Sequence, residues 1–138
     1  MKTKSSIPQY PVEFSPDEAR SIFIALSLEK DRYKGYEYQM RTYDMKALYE
    51  AWNKFWYRVQ SILHPEKPCD PDNEAFTILE LKMMYITAAV ELGRYRDVPR
   101  HRWTSDLLGL AAIHDKIVAT VAILEPAYDP QFPPPGAA

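Results

Sequence analysis

The sequence predicts an all-α fold: an antiparallel bundle of about four helices with an extended N-terminal arm and a proline-rich C-terminal tail. Three observations predict it. Apolar residues recur at helical spacing in four stretches of roughly twenty residues, each about 30 Å long as a helix. Most of the twelve prolines fall at the two ends and in one interior loop, where they punctuate the chain without interrupting those stretches. At 138 residues, 46 % hydrophobic and 26 % charged, the chain has the size and composition of one globular domain. The expected organisation is an arm over 1–14, a bundle over 15–126 and a tail over 127–138, with no internal repeats.

In the arm, Pro8 and Pro11 remove backbone donors, and Tyr10 and Phe14 are placed to dock on the body. Ser15-Pro16-Asp17-Glu18 reads as a helix start, with a capping hydroxyl, a proline in the first turn and acids at the positive pole. Ala19, Ile22, Phe23 and Leu26 make the buried stripe of this helix, Glu29-Lys30-Asp31-Arg32 a solvated continuation, and Gly35 its stop. Tyr36 to Met40 alternates but is too short to assign as a strand.

The second helix is expected from Tyr43 to Leu63. Met45, Leu48, Trp52, Phe55, Val59 and Ile62 form a heptad seam, widened on one side by Tyr49, Trp56 and Leu63. His64-Pro65 ends it, and Glu66 to Pro71 is a loop. The aromatic group Trp52, Phe55, Trp56 and Tyr57 reads as core at this spacing, with Tyr57 and Arg58 off the seam.

The third helix is expected to start near Asp72 or Asn73 and to end at Gly93. It is apolar around most of its circumference, with Thr77, Glu80, Thr87, Glu91 and Arg94 on one narrow polar stripe. The fourth, from Thr104 or Ser105 to Glu125-Pro126, is apolar nearly all round. A lone four-helix bundle leaves each helix a wide wet face. These two therefore predict either cover by arm and tail or a homo-oligomeric interface.

The most distinctive segment lies between those helices. Arg94-Tyr95-Arg96-Asp97-Val98-Pro99-Arg100-His101-Arg102-Trp103 carries +3, against −2 for the whole chain. Arginine forks match phosphate and carboxylate, Tyr95 and Trp103 offer stacking faces, and the N-terminus of the fourth helix adds positive potential. Arg94, Tyr95, Arg96, Arg100, His101, Arg102 and Trp103 are therefore the candidate ligand-binding residues, for an acidic protein partner or a phosphorylated small molecule such as a nucleotide. The structural alternative has Arg94 and Arg96 capping the third helix and the remaining arginines paired with acids of neighbouring helices.

Catalytic layouts are poorly represented. Four glycines build neither a P-loop nor a nucleophile elbow, and no Glu-x-x-His or Glu-x-x-Glu pair occurs. Cys69, the single cysteine, sits between Pro68 and Asp70, where a neighbouring negative charge disfavours a thiolate. His114-Asp115 resembles, over those few residues, the paired ligands of the HD phosphohydrolase family. That resemblance implies metal-dependent phosphoester hydrolysis, with an upstream histidine helix and a downstream aspartate completing the site. This chain departs from the pattern. His101 is thirteen residues upstream and His64 fifty, Asp129 lies beyond a proline in the tail, and Ile117-Val118-Ala119 replaces the family's helix-breaking glycine. The alternative is the polar edge of a buried helix with His114 hydrogen-bonded.

No catalytic residue, metal ligand or cofactor is therefore assigned, and the expected function is non-enzymatic binding by a homo-oligomeric helical protein. The net charge argues against a nucleic-acid partner. The N-terminus lacks an apolar stretch after its lysines, and Leu107 to Leu124 is interrupted by His114, Asp115 and Lys116. The expected setting is cytoplasmic, without membrane attachment.

Overall fold

The structure is a computed structural model that describes residues 7–33 and 42–125. The expected stop at Gly35, the alternating segment Tyr36 to Met40 and the tail over 127–138 lie outside the described residues.

The described residues fold as an all-α, antiparallel bundle of four helices. Helix α1 spans Pro16–Arg32, α2 Thr42–Leu63, α3 Ile78–Gly93 and α4 Ser105–Leu124. Each helix packs on the next, α4 returns to α1, and α1 also touches α3 across the diagonal. The arm contributes a two-residue strand, β1 (Tyr10–Pro11), antiparallel to β2 (Ala75–Phe76), with Val12 N–H donating to the Glu74 carbonyl at 3.1 Å. This short ladder drops Phe14 onto Phe55 and Phe76, with ring centroids 5.3–6.2 Å apart.

Ser15 caps α1 as expected, in a reciprocal pair with Glu18. Glu18 also receives the Lys116 ammonium at 2.8 Å, and Lys116 donates to the Glu13 carbonyl as well, so one lysine ties arm, α1 and α4 together. Burial pushes the Glu18 carboxyl up, but the Lys116 and Ser15 hydrogen bonds outweigh it and hold the group below its ordinary value.

Three expectations are corrected. The charged end of α1 is not a solvated continuation. Glu29 is 2 % exposed and paired with Arg32, which bridges at 2.7 Å to Glu91 on α3. The buried face of α2 is rotated away from the expected widening. Ala47, Ala51 and Lys54 point inward, where small side chains admit the neighbouring helices, while Trp56 and Leu63 are exposed.

Helix α3 begins at Ile78, six residues later than Asp72. Asp70 closes a single 3-10 turn over Pro71–Glu74 by accepting the Asp72 N–H, and β2 then runs extended. Thr77 and Glu80 form a second capping box that starts the helix proper. The polar residues inside α3, Glu80, Thr87 and Glu91, are buried too: Glu80 holds the Lys54 ammonium at 2.6 Å and Glu91 holds Arg32.

Every side chain of α3 is buried or half-buried, so this helix is enclosed by its own chain. Helix α4 is not. It buries Leu110, Ala111, Ile113, His114, Ile117 and Val121, and exposes Leu108, Ala112, Asp115, Ala119, Ala122 and Ile123, the last 78 % exposed. Among the described residues α4 is the one helix long and apolar enough to cross a membrane by length and composition, with mean hydropathy 1.8.

A candidate binding loop between α3 and α4

The loop after α3 is built from backbone turns. Arg94 and Tyr95 N–H groups donate to the Glu91 and Leu92 carbonyls, and Val98 N–H to that of Tyr95. Arg100–Arg102 then forms a 3-10 turn, closed by Arg102 N–H on the Pro99 carbonyl at 2.8 Å and by Trp103 N–H on that of Arg100. The Trp103 indole N–H reaches back to the Val98 carbonyl at 3.0 Å while its ring packs against the core. Trp103 is thus the pin that shapes the loop. Thr104 caps α4 by accepting the Leu107 N–H, and Asp106 occupies the first turn.

The expected site residues separate into distinct roles. Arg94 is the C-cap residue of α3, and its side chain lies against Glu91 at 3.5 Å. Arg96 and Arg102 are exposed and form no ion pair among the described residues, so the acid pairing of the structural alternative does not occur at Arg102. Arg100 holds its guanidinium over the Trp103 ring, 5.4 Å from the centroid, also without a carboxylate partner. His101 is exposed on the same turn. With one ring face covered by Arg100 and its N–H spent, Trp103 is poorly placed to stack on a base. The pole of α4 is likewise partly used, by the Thr104 hydroxyl and the Asp106 charge.

Tyr95 leads away from the arginines into a groove between α1 and α4. It joins Ile24, Leu28 and Leu107 around a cavity of about 130 Å³, with Ser21 and Glu91 at its polar margin. The Glu91 carboxylate is neutralised there by Arg32 and Arg94. Sequence reasoning missed this groove. Ile24 and Leu28 are exposed and sit one helical turn apart, just off the buried stripe of α1. That i, i+4 apolar pair on an otherwise polar face was the available signal.

His114 and Asp115 do not converge on a common point. His114 is 2 % exposed, edge-on to Tyr85, with Nδ1 3.2 Å from Asp115 Oδ1 and, among the described residues, no partner at Nε2. Asp115 itself faces solvent. Among the described residues no three His, Cys, Asp or Glu side chains are grouped to hold a metal ion. The Cys69 thiol is pushed up, chiefly by burial and then by Glu74, so a thiolate is disfavoured there.

No protein family matches this chain, no curated protein is similar to it, and no solved structure matches its fold.

Proposed function

We propose that this chain is a non-enzymatic interaction protein that takes an acidic partner surface on the 94–102 loop and associates with copies of itself through α4. The observation that carries the first part is a loop of backbone turns presenting Arg96, Arg100 and Arg102, none of them in an ion pair among the described residues. Arginines on an already formed backbone meet carboxylates without a backbone-ordering cost, and each can take them in a bidentate fork. Tyr95 joins this charged rim to the α1–α4 groove, so the fitting partner combines acidic residues with an apolar side chain or two. A nucleotide or other phosphorylated small molecule is the alternative ligand, but the Trp103 geometry offers it little stacking surface.

Self-association rests on a different observation, the exposed row Leu108, Ala112, Ala119, Ala122 and Ile123 along a helix otherwise packed in the bundle. A cytoplasmic setting is part of the same reading, resting on the single cysteine.

A thermal-shift panel separates the two ligands. Glutamate-rich peptides should raise the melting temperature, nucleotides should not, and Arg96→Ala/Arg100→Ala/Arg102→Ala should abolish the shift. A nucleotide response with no peptide response would reverse the assignment. Sedimentation across a concentration series tests self-association: Ile123→Asp should leave a monomer, and a wild-type chain that is monomeric at every concentration would remove that part.

A further inference from the structure

A second groove lies at the opposite end of the bundle, between the outer face of α2 and the loop that follows it. Its volume is about 600 Å³, and its lining includes Trp56, Tyr57, Gln60, His64 and Asn73. Trp56 and Tyr57 meet edge to face, with centroids 5.3 Å apart, and are 38 % and 54 % exposed. Their donors are unspent. The Trp52 indole N–H goes to Ser27 and that of Trp103 to Val98, whereas Trp56 Nε1, the Tyr57 hydroxyl and the Gln60 amide have no partner among the described residues. Two exposed rings at right angles, flanked by free donors, complement one kind of peptide. A polyproline II strand presents flat pyrrolidine faces and carbonyls that no internal hydrogen bond satisfies.

We infer that this groove takes a proline-rich strand, and that its occupant is the chain's own segment Phe132-Pro133-Pro134-Pro135. Two facts select that segment. Helices α2 and α4 run parallel in an antiparallel bundle, so both end where the groove lies, and Glu125, just past α4, is fixed at this end by Lys82 near the start of α3. The thirteen residues after Glu125 include five prolines. In polyproline II geometry they would span about 40 Å, far more than the roughly 14 Å diagonal of a bundle with helices 8–10 Å apart. A tethered occupant also has an effective concentration that a free peptide rarely matches.

The test follows the three tryptophan indole N–H signals of the ¹⁵N-labelled full chain by NMR, with Trp56→Phe identifying the one that belongs to Trp56. Replacing Phe132, Pro133, Pro134 and Pro135 together by alanine should shift the Trp56 signal and leave those of Trp52 and Trp103 in place. A synthetic peptide of residues 126–138, added to that variant, should move the signal back. The shift should not depend on protein concentration. An unchanged Trp56 signal in the alanine variant would overturn the proposal. A shift present only at high protein concentration would also overturn it, by assigning the segment to a second copy.

Discussion

Lys54 and Glu80 bring opposite charges into one buried layer, 2.6 Å apart, beneath the strand pair that closes the end of the bundle. Lys54 also donates to the Ala75 carbonyl, and Glu80 accepts the Thr77 N–H, so neither charge is left with a single bond. Removing one partner strands the other, and Lys54→Ala should cost about 3–5 kcal/mol in urea unfolding. Replacing both, as Lys54→Met with Glu80→Leu, should recover most of that loss apart from about 1 kcal/mol for the broken cap. Glu29 is different, because burial, reinforced by the Glu91 charge, outweighs Arg32 and raises its carboxyl above the ordinary value of 4.5. The folded chain therefore holds this proton more tightly than the unfolded chain does. Its contribution to stability is full at low pH and is lost as pH rises through the raised value. In Glu29→Gln, unfolding free energy measured from about pH 4.5 upward should decline less steeply than in the wild type. None of these pairings was legible in the sequence. Periodicity places Glu29, Lys54 and Glu80 on a helix, but a charge that lands opposite its partner inside a bundle looks the same as one on a wet face.

At the scale of elements, caps and stops were legible wherever a single signal stood alone. Ser15-Pro16-Asp17-Glu18 and Thr104 begin helices, and Gly93 ends one, where their chemistry says they should. The start of α3 was misread because two signals compete over seven residues. Pro71-Asp72-Asn73-Glu74 has the composition of a first turn, but Thr77-x-x-Glu80 satisfies two orphan donors and leaves Phe76 extended to reach Phe14 and Phe55. Thr77→Ala should cost about 1 kcal/mol, and denaturant unfolding would register it. Gly109 offers the opposite case. It lies inside α4, and an added Cβ would meet only the Ser21 Oγ at 3.5 Å, an ordinary contact. Gly109→Ala should stabilise the chain by about 0.5–1 kcal/mol, seen as a raised denaturation midpoint. The face of α2 was legible as a heptad but not in its sidedness. Ala47 and Ala51 carry too little hydrophobicity to outvote Trp56 and Leu63 in a pattern, although their small volume is what lets neighbouring helices approach.

Over the whole molecule, composition and periodicity sufficed for four antiparallel helices around one core, and for the excess of apolar surface on α3 and α4. They did not say how that excess is divided. Helix α3 is left with no exposed side chain, because α1 crosses to it diagonally and the arm covers its start, whereas α4 keeps Leu108, Ala112, Ala119, Ala122 and Ile123 on the outside. The basic loop was legible as a charge cluster, while the division of its arginines required coordinates. Arg94 belongs to the end of α3 and Arg100 to Trp103, and Arg96 and Arg102 are unclaimed among the described residues. Binding without catalysis is best tested by calorimetric titration of an acidic peptide bearing one leucine into the full chain at low and at moderate salt. Saturable binding that weakens as salt rises, and that disappears in folded Arg96→Ala/Arg100→Ala/Arg102→Ala, is the expected result. Binding of equal strength in that variant, or no heat at either salt concentration, would contradict it.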